Sequence, residues 1–180
     1  MAIAPTMKGT PPYFNAGIRV RTAPVASASA SVTLKNSQSG QTFLFDRASG
    51  VTYTLPTPKV GIYYNFYTSV LQTSGAYVVV TNAGTVFVTG AIVMFSGEDV
   101  TPSNLLGPKM FAGNGTNHIK YTSNATTTGG GIGTSFRVTC ISTTLWYFTG
   151  IVKSPSGTIA TPFSVTELII RSGKLRHVGA

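Results

Sequence analysis

The sequence predicts an all-β chain: an antiparallel β-sandwich of jelly-roll type, with an extended N-terminal arm and a C-terminal tail. Three observations predict it. From residue 31 onward apolar and polar residues alternate at a period of two, the spacing of half-buried strands. Small polar turns separate roughly ten such runs, about every 8 to 12 residues. No stretch carries the apolar spacing of an amphipathic helix. The expected organisation is an arm over residues 1–30, a sandwich body over 31–166 and a tail over 167–180.

In the arm, Pro5, Pro11, Pro12 and Pro24 break any helix, and A-P-V-A-S-A-S-A is small-residue linker. Tyr13, Phe14 and Ile18 are too apolar for a pure spacer, and Lys8, Arg19 and Arg21 add positive charge. Apolar anchors among cations predict an arm that docks on a partner; a disordered leader is the alternative.

The body opens with S-V-T-L-K, where Val32 and Leu34 share a face opposite Thr33 and Lys35. T-F-L-F-D follows, and R-A-S-G turns it into V-T-Y-T-L, with Val51, Tyr53 and Leu55 on one face. These alternating runs read as antiparallel strands. Asp46 is expected to bond the amides of its own turn, and Pro56 and Pro58 to stop the strand. In I-Y-Y-N-F-Y, Ile62, Tyr64 and Phe66 oppose Tyr63, Asn65 and Tyr67. A tyrosine-rich second face predicts either a binding surface or cover by another subunit or the arm.

A-Y-V-V-V-T and T-V-F-V-T-G, joined by N-A-G, predict a hairpin. Residues 100–115 read as a loop with an apolar patch at Leu105, Leu106, Met110 and Phe111. H-I-K-Y-T-S is a strand, N-A-T-T-T-G-G-G-I-G a flexible loop, and T-S-F-R-V-T-C-I-S pairs as a hairpin with T-L-W-Y-F-T-G-I-V. The closing tail has an apolar core of Leu168, Ile169 and Ile170, then Arg171, Lys174 and Arg176; its β-branched residues and Gly173 favour an extended segment.

Composition narrows the function. Charged residues are only 9% of the chain, against about 25% in an average domain. Such a surface suits a protein packed against neighbours or exposed outside a cell. The net charge of +9 predicts an acidic partner or nucleic acid. Basic residues form no run and lack an interleaved aromatic platform, so direct nucleic-acid contact is not expected. Cys140, the lone cysteine, shares parity with Phe136 and Val138 and reads as a buried thiol. Neither His118 nor His177 has a visible partner for a triad or a metal site.

The four acids are Asp46, Glu98, Asp99 and Glu167. Adjacent Glu98 and Asp99 would point to opposite faces of a strand, and turn acids such as Asp46 are usually structural. G-G-G-I-G lacks the Lys-Ser/Thr of a phosphate loop, and the sequons at Asn114 and Asn124 carry no weight without a secretory route. No cofactor, no metal and no catalysis are expected. Neither a secretory leader nor a bilayer-length apolar run is visible, so the expectation is a soluble protein made in a cytoplasm.

One stretch carries a resemblance. S-G-Q-T-F-L-F-D-R-A-S-G-V-T-Y-T-L-P-T-P-K-V-G, from Ser39 to Gly61, resembles a pattern in tailed-bacteriophage virion proteins: an apolar strand ending in Asp, then Gly-Val-Thr-x-Thr-Leu-Pro-x-Pro-x-x-Gly and an aromatic-rich strand. T-L-W-Y-F-T-G-I-V is similar to a late strand of the same proteins, and the likeness spans Ser31 to Thr166. It implies a capsid decoration (cement) protein on the outer surface of the virion head, as a homotrimer with the major capsid protein as partner. The implied contacts are Lys8, Tyr13, Phe14, Arg19 and Arg21 in the arm and Leu168, Ile169, Ile170, Arg171, Lys174 and Arg176 in the tail. Two alternatives remain open: a carbohydrate- or receptor-binding module of a tail or head fibre, using Tyr63, Tyr67 or Tyr77, and a small jelly-roll coat protein.

Overall fold

A computed structural model of the chain describes residues 23–96, 107–155 and 159–165. The body is all-β, two packed sheets with one short 3-10 turn at Asn36–Gln38. Its strands are β1 (Ser31–Thr33), β2 (Thr42–Phe45), β3 (Val51–Thr54), β4 (Tyr63–Thr68), β5 (Tyr77–Val80), β6 (Phe87–Ser96), β7 (Lys109–Asn114), β8 (His118–Thr122), β9 (Ser135–Cys140), β10 (Leu145–Ser154) and β11 (Phe163–Val165). One sheet runs β1-β3-β5-β8-β11 and the other β2-β4-β9-β10-β6-β7.

The sheets are mixed, which corrects the purely antiparallel expectation. The first five strands alternate between the sheets, so β1, β3 and β5 pair in parallel, as do β2 and β4. Strands β6 and β10 are parallel as well, from Phe87↔Leu145 to Ser96↔Ser154. A period of two says which face is buried and nothing about strand direction. Direction here is set by arches that carry the chain across the sandwich. Two of them stack: the Val51 N–H donates to the Ala76 carbonyl, and the Thr73 and Ser74 N–H groups donate to the Ala48 carbonyl.

Two further expectations are corrected. β5 and β6 form no hairpin, because the turn after Thr81 delivers β6 to the opposite sheet, where the Phe87 N–H bonds the Thr144 carbonyl. Within residues 100–115, K-M-F-A-G-N is strand β7, antiparallel to β6, rather than loop. Six residues of pairing outweigh the local loop signal of its glycine. Leu105 and Leu106 lie outside the described residues. The β9–β10 hairpin forms as expected, with Trp146 opposite Cys140.

Inward parity follows the alternation. Leu34, Phe43, Phe45, Tyr53, Tyr64 and Phe66 are all buried from the first four strands and their flanks. The core is an aromatic stack: Phe45 lies on Tyr77 at 4.7 Å and Phe66 on Phe136 at 5.3 Å between ring centroids. Such pairs add about 0.5–1.5 kcal/mol each beyond burial. Buried phenols are satisfied by backbone: Tyr53 donates to the Leu44 carbonyl at 2.6 Å and Tyr77 to the Val70 carbonyl at 2.8 Å. The Cys140 thiol is buried as expected, and burial raises its pKa, away from thiolate chemistry.

The end of the arm is part of this body. Val25 bridges Phe43 in parallel, its N–H donating to the Thr42 carbonyl at 2.8 Å and its carbonyl accepting from the Leu44 N–H at 3.0 Å. That covers the open edge of β2, a position otherwise exposed to pairing with another chain.

Candidate functional site

With both inner faces used for the core, the outer face of the six-stranded sheet spans the larger number of described strands, six against five. Its cross-strand rows follow from the registers. One row reads Leu44, Tyr67, Ser135, Ile151, Val93, Met110. The next reads Thr42, Asn65, Arg137, Thr149, Ala91, Ala112. Met110 is 74% exposed and Ile151 53%, and Tyr67, Tyr147 and Phe95 on the same face are also exposed. Single exposed apolar residues are ordinary; a row across a sheet that is apolar except at Ser135 is the kind of patch that marks an interaction surface.

Arg137 is the charge at the centre of this face. Its Nε–H donates to Asn65 Oδ1 at 2.9 Å, and its guanidinium carbon stands 4.7 Å from the Tyr63 ring centroid. The two contacts orient the guanidinium plane on the sheet, a cation–π geometry joined to a hydrogen bond. Beside it lies a shallow depression of about 320 Å³ lined by Asn65, Ser135, Arg137 and Thr149, floored by Phe136 and Gly150. Gly150 permits this floor: a Cβ there would sit 2.4 Å from the Phe136 Cα, so any other residue would push β9 and β10 apart.

The expected contact residues Lys8, Tyr13, Phe14, Arg19, Arg21, Leu168, Ile169, Ile170, Arg171, Lys174 and Arg176 all lie outside the described residues, as do Glu98 and Asp99. Of the tyrosines proposed for binding, Tyr63 and Tyr67 are on the outer face, but Tyr77 is buried in the core, its pKa pushed up to about 12 chiefly by desolvation. That removes Tyr77 from any surface role. Its inward parity within Y-V-V-V was the available signal.

Asp46 also differs from expectation. It accepts from the Ser27 N–H at 3.1 Å and from the Ser27 hydroxyl, so it ties the arm's end to the body instead of capping its own turn. The turn closes through the Gly50 N–H and the Arg47 carbonyl. The glycine run expected to be flexible is packed: Gly129, Gly130 and Gly131 are buried, and the Gly130 carbonyl accepts from the buried Gln72 N–H. His118 Nδ1 accepts from the Asn114 N–H at 3.2 Å, its ring stacks on Phe163, and burial lowers its pKa. Among the described residues no group of three or more His, Cys, Asp or Glu is placed to hold a metal ion.

The chain matches no protein-family model, no curated protein and no solved structure. No helix among the described residues is long and apolar enough to cross a membrane. Sequence reasoning found the tyrosines of β4 but missed the rest of the face. The signal was present in L-W-Y-F-T-G-I-V, where Tyr147 and Ile151 make the second side of β10 apolar too.

Proposed function

We propose that this chain is a structural binding protein of a virion surface, a capsid decoration protein that works through its interfaces. The observation that carries the binding part is the row from Leu44 to Met110, apolar except at Ser135, on the outer face of the six-stranded sheet. The virion assignment rests on the resemblance of Ser39–Gly61 to a pattern in tailed-bacteriophage virion proteins. In this reading the body packs against sister subunits in a trimer and against the major capsid protein. The arm and tail add extended contacts, and their basic residues pair with acidic capsid surface, which favours on-rate and orientation. Several weak contacts in one oligomer then sum as avidity.

The test is loading onto purified, expanded phage heads, followed by sedimentation and electron microscopy. Full-length chain should co-sediment with heads at regular lattice positions, and a chain lacking residues 1–21 should stay folded but fail to load. Equal loading by the truncated chain removes the arm from the mechanism; absence of loading by the full chain removes the decoration role.

A second reading, a sugar-binding fibre module, is favoured by one observation: Tyr63 and Tyr67 flank the polar depression at Asn65 and Arg137. A glycan array read with wild type and Tyr67→Ala tests it, and an array without hits ends it.

A further inference from the structure

The outer face of the six-stranded sheet has a gap at its centre. In the row Leu44, Tyr67, Ser135, Ile151, Val93, Met110, only Ser135 is small and polar, and it sits between Tyr67 and Ile151. The depression beside Arg137 opens at this position, with Ser135 in its lining. A side chain brought in from outside could therefore seat between Tyr67 and Ile151 and complete the row.

Two residues along β9 from Ser135 stands Arg137, held by Asn65 and Tyr63. Positions two apart on a strand are about 6.6 Å apart and point the same way. The same spacing separates alternate side chains of any extended segment laid along the strand. Arg137 presents a guanidinium in an orientation set before binding, the arrangement that favours bidentate capture of a carboxylate.

We propose that this face docks an extended acidic segment of a partner protein. The segment places an aliphatic side chain over Ser135, between Tyr67 and Ile151, and an Asp or Glu two positions away against Arg137.

Charge complementarity selects the partner. The described residues hold seven lysines and arginines against a single carboxylate, Asp46. Both Asp46 oxygens are engaged by Ser27. The described residues of a second copy would thus meet Arg137 with more positive charge and no spare carboxylate, whereas an acidic segment neutralises it. The inference deepens the proposed interface role and rests on that reading only for the partner's identity, not for the site.

The probe is a pair of short synthetic peptides, one with Leu and Glu two positions apart in a Ser/Thr background, the other with Gln for Glu. Each is titrated into the isotope-labelled full chain and followed by amide chemical shifts. The Glu peptide should perturb Asn65, Ser135, Arg137, Thr149 and Ile151 and weaken at least about tenfold when salt is raised from about 0.05 to 0.5 M. Arg137→Gln should weaken the Glu peptide by about tenfold or more and leave the Gln peptide unchanged, the signature of a direct pair. Ser135→Leu, which fills the gap from within, should weaken both peptides.

Shifts that map to Lys59 or Lys120 instead, or an Arg137→Gln chain that binds the Glu peptide as wild type does, overturn the site. The readouts separate the two claims. Peptide binding at Arg137 by a chain that never loads onto heads keeps the site and removes the decoration role. Loading that Arg137→Gln and Ser135→Leu leave intact, with a silent titration, removes the site and keeps the role.

Discussion

Gly50 and Gly75 lie against each other's arches: a Cβ on Gly50 would sit 2.5 Å from the Ala76 carbonyl oxygen, and one on Gly75 would sit 2.0 Å from that of Ser49. Both also hold positive φ, +98° and +63°. The two arches can stack only because neither bears a side chain there. Replacing either residue by Ala should cost about 2 kcal/mol or more. Gly84, with no neighbour within 4 Å of its own Cβ position, is the control and should tolerate Ala within about 0.5 kcal/mol. Denaturant midpoints of the three variants test this, and equal midpoints would falsify the stacked-arch account.

Asp46→Ala should release the segment from Val25 to Ser27 from the edge of β2. The carboxylate accepts from both the backbone and the hydroxyl of Ser27, and losing bonds to a charged acceptor costs about 1.5–3 kcal/mol. Limited proteolysis should then cut within residues 23–30 faster than in wild type, with the body intact. An unchanged cleavage pattern would show that the bridge to Phe43 holds the segment alone.

Tyr64 and Tyr77 have their phenol pKa pushed up to about 12, chiefly by burial. Unfolded tyrosine ionises near 10. The folded state therefore keeps its protons while the unfolded chain loses them, and the stability present below pH about 10 declines as pH rises towards 12. Burial also raises Tyr53 and Tyr121, extending the decline to still higher pH. Thermal melts between pH 9 and 12 should show a falling midpoint, flatter in a Tyr64→Phe, Tyr77→Phe double variant. A midpoint independent of pH in that window contradicts the burial of these hydroxyls.

Trp146 is fully buried, yet its Nε1 has no hydrogen-bond partner among the described residues. A buried unpaired donor costs about 1–3 kcal/mol, so removing it offsets part of the volume lost in Trp146→Phe. That variant should lose less than about 2 kcal/mol, against about 3–5 for Phe148→Ala on the same strand. If Trp146→Phe costs as much as Phe148→Ala, the indole N–H has a partner that the fold does not reveal.

The strands were legible wherever alternation was strong. Val51 and Tyr53 point inward as read, and so do Tyr64 and Phe66. Partner choice was not legible, because β5 and β6 carry the same alternating pattern whether they pair together or face different sheets. Glycine misled twice: Gly113 lies in strand β7 rather than in a loop, and the run at Gly129 belongs to a loop, as read, but one whose glycines are buried. Of the candidate site, Tyr63, Asn65 and Tyr67 could be placed on one face from the sequence. Their meeting with Arg137 and Ile151 depends on the order β4-β9-β10, which no local pattern encodes.

The parallel pairing of β6 with β10 also bears on how the chain is made. β6 is ten residues, F-V-T-G-A-I-V-M-F-S, without a charge or a proline. Both of its neighbours, β7 and β10, follow it in the sequence, and β10 comes long after. During synthesis this strand leaves the ribosome with neither edge covered, and it waits through the whole β8–β9 region for its second partner. Segments of that composition self-associate when left unpaired. The vulnerable moment of this protein is thus its birth, and its yield should depend on chaperone supply more than its finished stability would suggest.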